Sequence, residues 1–262
     1  MDKLVAVTGA SRGIGEAIAK KFARENYTVI LISRTETDLH RVQKEIKSSG
    51  GKAEYLPFDL SNPKDAPELY SKLHSRFGFI PNVVLNAGVS SNTSFENQDM
   101  ANLEKELNVN YLFPIAFLKE FLPAMIQRKT GNIVSVGSVA AIVPFPGNSS
   151  YAATKSALLS LFTSLHLELK KHNVYAGSVL PGATKTDMTK DFHSDVIPFS
   201  SPQEIADGVL DAIRFKKQVL VCGIFNEVLV QSYRLFPEIF NLAIGTVADF
   251  ALPSLKNLKQ KV

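Results

Sequence analysis

Tryptophan is absent from the 262-residue chain, cysteine occurs once and methionine four times. A lone Cys222 cannot close an internal disulfide, which excludes a cross-linked scaffold and fits a reducing compartment, with the thiol packed in a strand. Uninterrupted apolar stretches are short of the roughly 20 residues that span a bilayer. Arg234, Glu238 and Asp249 break the most apolar region near the C-terminus, so no transmembrane helix is expected. Met1-Asp2-Lys3-Leu4-Val5-Ala6-Val7 runs straight into a glycine-rich turn. It lacks a charged n-region followed by an h-region, reads as a strand and not a secretory leader, and makes a cytoplasmic location the expectation. Runs of one charge are missing too. Lys plus Arg exceeds Asp plus Glu by 29 − 25 = 4, a diffuse excess that argues weakly for anionic ligands and against nucleic acid. No metal site is expected.

What is present is a rhythm. With 45% hydrophobic and 21% charged residues, the chain can bury one sizeable core. Short β-branched runs at 4–8, 28–33, 53–57, 82–86, 132–136, 174–179 and 218–222 read as strands, with stretches long enough for crossover helices between them. Parallel neighbours need such crossovers, so the pattern predicts an α/β fold with a doubly wound, mostly parallel sheet of about seven strands and helices on both faces. This unit would cover residues 1–223. Residues 184–200, rich in Thr, Ser and Pro, read as a mobile segment between a strand and a helix at 202–215. Residues 224–262 form an apolar extension ending in Lys256, Lys259 and Lys261. It would pack on its own domain, against a second subunit, or on a membrane surface.

Thr8-Gly9-Ala10-Ser11-Arg12-Gly13-Ile14-Gly15 follows the first strand and opens a helix over Glu16–Glu25. Backbone N–H groups at a helix start can face a pyrophosphate. Gly9 permits the tight turn, while Gly13 and Gly15 allow close approach of phosphate and of helix to sheet. The second strand ends Ile32-Ser33-Arg34, without the carboxylate that would accept the adenosine ribose hydroxyls of NAD. Arg34 and Arg12 could instead take a 2′-phosphate by charge-assisted hydrogen bonds, which favours NADP(H). Glu36 reads as a solvated residue of a helix start.

Further along stand Ser138, Tyr151 and Lys155. Tyr151 and Lys155 are four residues apart on one face of a helix running to about Lys171, so both side chains reach one site. Leu158, Leu161, Phe162, Leu165 and Leu169 on that helix read as core. A free tyrosine has a pKa near 10, and a lysine charge beside it favours tyrosinate.

Together these motifs resemble the short-chain dehydrogenase/reductase family, in its single-domain Rossmann-type branch. The resemblance rests on Thr8–Gly15, Asp59-Leu60, Asn86-Ala87-Gly88, Asn110, Ser138, Tyr151, Lys155, and Pro181-Gly182 with Thr184 and Thr186. It implies a carbonyl/alcohol oxidoreductase in which Tyr151 exchanges the proton and Ser138 holds the substrate oxygen. Lys155 would bind the nicotinamide ribose, and Asn110 would help hold a water in a relay to Lys155. It also implies adenine contacts at Asp59 and Leu60, ribose support at Asn86 to Gly88, and nicotinamide and phosphate contacts near Thr184 and Thr186. Each position keeps a plain structural alternative: Asn110 as a helix kink, Asp59 as a cap, Ser138 as a turn residue.

Ala140-Ala141-Ile142-Val143-Pro144-Phe145-Pro146 offers apolar walls, which points to a hydrophobic carbonyl or hydroxy substrate such as a 3-oxoacyl, steroid-like or sphingoid compound. The tail, with Arg234-Leu235-Phe236-Pro237, resembles that of lipid and hydrophobic-carbonyl reductases. The resemblance further implies a homodimer or homotetramer through the helices at 102–127 and 151–171. An NADPH-binding sensor or scaffold without turnover is the competing reading.

Overall fold

A strand such as Thr28-Val29-Ile30-Leu31-Ile32-Ser33 has apolar side chains pointing both ways, so it is stable only in a sheet covered on both faces. A computed structural model, describing residues 3–189 and 198–242, contains that sheet. Its strands are β1 (Leu4–Thr8), β2 (Thr28–Ser33), β3 (Lys52–Pro57), β4 (Asn82–Leu85), β5 (Gly131–Val136), β6 (Val174–Leu180) and β7 (Val219–Val221). They pair in parallel in the order β3-β2-β1-β4-β5-β6-β7. The helices are α1 (Gly13–Arg24), α2 (Glu36–Ser48), α3 (Ala66–Phe77), α4 (Met100–Leu107), α5 (Phe113–Arg128), α6 (Ser149–Lys170), α7 (Pro202–Arg214) and α8 (Ile224–Leu235). Strand limits agree with the sequence pattern to within one residue. Helix α1 starts three residues early because the glycine turn itself enters the helix.

Alternation along each strand divides the core in two. Val5 and Val7 of β1 and Val29 and Leu31 of β2 face Ile18 and Phe22 of α1, Leu39 of α2 and Val209 of α7. Ala6, Ile30, Ile32 and Ile133 face Leu69 of α3, Phe113, Phe117 and Phe121 of α5, and Phe162 of α6. The helical run Met100–Arg128 is long and apolar enough, by length and composition, to cross a membrane, contrary to the expectation that none would be. Its apolar residues Phe113, Phe117, Leu118, Phe121 and Met125 are buried in this second half of the core.

That run is interrupted by a π-helical turn at Asn108–Leu112, where the Phe113 N–H donates five residues back to Asn108. Pro114 explains the break, since it has no N–H for the carbonyl of Asn110 four residues earlier. The two ends of the 184–200 segment are tied: Ser200 donates from its N–H to the Ala183 carbonyl (2.8 Å) and accepts at its own carbonyl from Lys185 (3.1 Å). Residues 190–197 lie outside the described residues. Helix α8 covers the end of the sheet through Val230, which packs with Val139, Val143 and Leu180. Val143 is fully buried there, so it belongs to the core and not to the walls of a substrate site. Cys222 is buried just beyond β7, where burial pushes its thiol pKa up to about 12, as suits a packed thiol.

The tightest packing constraint lies where α1 leaves β1. A Cβ on Gly15 would fall 2.1 Å from the Gly9 carbonyl oxygen, and backbone on both sides leaves little room to yield. Gly15→Ala is expected to destabilise the chain by about 2 kcal/mol or more, read as a lower urea midpoint; an unchanged midpoint would show that the turn relaxes.

Candidate active site

All strands being parallel, their carboxyl ends share one edge, and the strand order reverses between β1 and β4. A crevice opens at such a switch point. Gly9 (φ +66°) turns the chain out of β1 there. The loop after β4 is laced to it: Asn86 donates from Nδ2 to the carbonyls of Thr8 (3.0 Å) and Gly9 (3.3 Å). The Thr8 hydroxyl oxygen accepts the N–H groups of Asn86 (3.0 Å) and Ala87 (3.1 Å).

The first turn of α1 has no side-chain cap at Arg12, whereas α7 is closed by a full capping box between Ser201 and Glu204. Among the described residues, the N–H groups at Gly13, Ile14 and Gly15 are thus free of side-chain acceptors. Gly13 (φ +57°) faces Thr186, and a Cβ on it would lie 3.2 Å from the Thr186 Cγ2. The absence of that atom keeps the gap between the glycine turn and the 182–186 loop open. An uncapped helix start across a glycine-kept gap fits a dinucleotide pyrophosphate.

Beyond the glycine turn, toward the end of β2, the Ser11 and Ser33 hydroxyls are 3.0 Å apart. Arg34 is exposed, and among the described residues nothing engages its guanidinium. Arg12, expected to share an anion with it, instead pairs with Asp187 (3.0 Å), both side chains exposed. Arg41, which the sequence reading missed, donates to the Ser11 carbonyl (3.0 Å) and to Glu16 and Glu45. Those carboxylates hold its pKa above the ordinary arginine value, against a smaller opposing effect of burial. The i,i+4 pairs Glu16/Lys20 and Arg41/Glu45 were a visible signal of this lattice. Asp59 accepts the Ser61 N–H (2.9 Å) as a turn cap, and Leu60 is buried.

At the other end, the Ser138 Oγ accepts the Ala140 N–H (3.1 Å) while its hydroxyl is close enough to Tyr151 to ease ionisation of the phenol, so it is turn residue and neighbour of the tyrosine together. The carbonyl of Pro181 anchors this turn by accepting the Val139 N–H (2.9 Å). Lys155 is 3% exposed; its Nζ donates to the Val136 carbonyl (3.0 Å) and lies 5.7 Å from the centre of the Tyr151 ring. A Cβ on Gly88 would meet both Lys155 Nζ and Asn110 Oδ1 at 3.4 Å. Thr184 donates to the Gly182 carbonyl (3.0 Å), and the Thr186 N–H donates to the Thr189 hydroxyl (3.2 Å).

The electrostatics differ from the sequence expectation. Burial raises Tyr151 to about 12, against a lowering by the neighbouring Ser138 hydroxyl and with a further rise from the charge of Glu106. Burial lowers Lys155 to about 8. Desolvation outweighs any easing of tyrosine ionisation by Lys155 in the chain by itself.

The Asn110 side chain is held at both ends: Oδ1 accepts the Val89 N–H (2.8 Å), and Nδ2 donates to the Val89 carbonyl (2.9 Å) and the Thr154 hydroxyl (3.1 Å). It fastens the β4 loop to α6. Glu106, also missed, is 2% exposed on α4. A carboxylate amid Leu and Lys on a short helix gave no sign of it.

A family model described as short chain dehydrogenase matches residues 3–196. The chain is 33% identical over 218 residues to a ketoacyl reductase of a Nostoc species, a match covering 82% of this chain and 76% of that protein. It is 33% identical over 217 residues to carbonyl reductase family member 4 of Xenopus laevis, covering 80% and 90%. A solved short-chain dehydrogenase from Sphingobium yanoikuyae, in complex with NADPH, superposes with a TM-score of 0.78 at 28% identity, covering 94% of this chain and 95% of that one.

The lowered Lys155 has a consequence for stability. Between pH 8 and 10.5 the unfolded chain carries a proton on this lysine that the folded chain does not, so the wild type gains stability as pH rises through that window. Lys155→Met lacks this gain. Relative to wild type, its stability in urea should fall by about 3 kcal/mol from pH 7 to pH 10.5; a constant difference would refute the lowered pKa.

Proposed function

The chain belongs to the short-chain dehydrogenase family, and from that membership we propose that it is an NADP(H)-dependent carbonyl reductase acting, in either direction, on hydrophobic substrates. That it is an oxidoreductase of carbonyl and alcohol groups using a nicotinamide cofactor follows from the family match and the named relatives. The observation that carries the reading is the meeting of Ser138, Tyr151 and Lys155 on the sheet edge that also bears the glycine turn.

When bound, the nicotinamide gives or takes the hydride at the substrate carbon. In reduction, Tyr151 passes its phenolic proton to the carbonyl oxygen as charge develops there, and the Ser138 hydroxyl holds that oxygen. Lys155 donates from its ammonium to the ribose and supports the charge left on Tyr151. Gly9, Gly13, Ile14 and Gly15 offer backbone N–H groups to the pyrophosphate. Arg34, with Ser11 and Ser33 beside it and Arg12 released from Asp187, takes the 2′-phosphate. Asp59 and Leu60 flank the adenine, Asn86 to Gly88 the adenosine ribose, and Thr184 and Thr186 the nicotinamide carboxamide and phosphates.

Substrate preference rests on the half-buried Ile142 and Phe145 of the loop after β5, which support an apolar carbonyl compound such as a 3-oxoacyl, steroid-like or sphingoid molecule. Exposed Leu107, Leu112 and Leu167 on the helical runs 100–128 and 149–170 support a homodimer or homotetramer. Ile224, Val228, Leu235, Ile239 and Leu242 recur at helical spacing and are all exposed. This stripe supports peripheral contact with a membrane from the cytoplasmic side, testable by sedimentation with liposomes.

Arg34→Ala should cost roughly ten- to hundredfold in NADPH affinity while leaving NADH affinity unchanged, measured by nucleotide fluorescence. Equal wild-type binding of the two nucleotides would overturn the assignment of NADP(H). Tyr151→Phe should retain NADPH binding and lose roughly a hundredfold or more in ketone reduction. Retained turnover would remove Tyr151 from the chemistry, and binding without turnover in the wild type would favour a sensor.

A further inference from the structure

A second polar cluster adjoins the site, in a place no motif marks. Glu106 on α4 is 2% exposed, and both of its oxygens are used. Oε1 accepts the N–H (2.6 Å) and hydroxyl (2.8 Å) of Ser91, in the loop after β4, and Oε2 accepts the hydroxyl of Ser150 (2.5 Å). Gln98 closes the ring, donating from Nε2 to the Ser91 and Ser150 hydroxyls, 2.7 Å each. Ser90 adds a link by donating to Asn148 (3.1 Å), just ahead of α6. Ser150 immediately precedes Tyr151 in the first turn of α6.

We propose that Glu106 is a positioning residue of the carbonyl/alcohol reaction: its buried carboxylate locks the first turn of α6 to the β4 loop and so fixes Tyr151. The proposal rests on the reading of Tyr151 as the proton-exchanging group. Burying an isolated carboxylate costs several kcal/mol unless its oxygens are satisfied, and here three donors drawn from two separate segments satisfy them. The first turn of a helix frays readily without such anchorage, and α6 has no side-chain cap of its own at Asn148. Glu106 thus does from outside the helix what a cap would do from within.

The charged groups set against Tyr151 are Glu106 from α4 and Lys155 from its own helix, while Ser138 from the β5 loop is neutral. The negative charge of Glu106 raises the Tyr151 pKa, in the same direction as burial. Glu106 therefore adds to burial in disfavouring the tyrosinate.

Two variants separate charge from anchorage. Glu106→Gln keeps the shape, and its amide can donate to the Ser150 hydroxyl; Glu106→Ala removes the lock. Tyrosine labelled with ¹³C at Cζ, with Tyr151→Phe to assign the signal, reports ionisation of Tyr151 in the chain without nucleotide. In Glu106→Gln this signal should advance toward tyrosinate at a pH lower by roughly one unit. Oxidation of 1-phenylethanol with NADP⁺ should show its rising pH limb displaced the same way. Glu106→Ala should lower kcat roughly tenfold or more while NADPH affinity changes less than about threefold. Unchanged kcat in Glu106→Ala would overturn the proposal, and so would superimposable NMR titrations of wild type and Glu106→Gln, because a residue that merely staples the fold leaves the tyrosine pKa unmoved. If the wild type turns over no alcohol or ketone, the reductase reading fails on its own, and the NMR titration still decides the part played by Glu106.

Discussion

The site depends on how closely the chain passes itself at the top of β1 and β4. Added Cβ atoms at Gly9 and Gly15 would meet Ala87 at 2.9 Å and the Gly9 carbonyl at 2.1 Å, and only glycine allows those approaches. That proximity lets Asn86 and Thr8 exchange hydrogen bonds across the strand-order reversal, and so fixes the distance between the pyrophosphate side of the crevice and the loop carrying Gly88. From Gly88 the order passes to Asn110 and Lys155, and from Asn110 to Thr154 in α6. The cofactor end and the chemical end are one hydrogen-bonded construction and not two sites placed side by side.

Within it, electrostatic cost is concentrated where chemistry is proposed. Arg41, Lys20, Glu16 and Glu45 share charge at the surface of α1 and α2, where solvent and mutual pairing make ionisation easy. Lys155 and Tyr151 are drawn away from their ordinary ionisation in opposite directions by the same desolvation. A folded chain holding a cation at Lys155 gives up stability to do so, as groups kept for function commonly do. A bound dinucleotide with its phosphates and ribose would change the surroundings of both groups.

The frame was legible because it is written locally. Strands of β-branched residues, a glycine turn followed by a helix, and Tyr and Lys four apart are short-range patterns, and each was found within a residue or a turn of where it was expected. Tertiary partners were not legible. Nothing near Arg12 in the sequence shows its pairing with Asp187, far along the chain. Val143 reads as a pocket wall until Val230 of α8 covers it. Asn110 reads as a helper in holding a relay water, and nothing local shows that its side chain has three protein partners. Glu106 has no sequence signature, because what defines it is the convergence of Ser91 and Ser150 from segments that only the fold brings together.

The π-helical turn at Asn108–Leu112 also sets the phase of the helical run on either side of it. Each residue turns an α-helix by about 100°, and a π turn accommodates one more residue than the regular ladder. With that extra residue, α4 points Glu106 at the start of α6 while α5 points Phe113 and Phe117 into the core. Removing one residue between 108 and 112 would restore a regular helix and swing one of these faces by about 100° relative to the other. The length of this segment is therefore under tighter constraint than its composition, and a deletion here would be far more damaging than most substitutions.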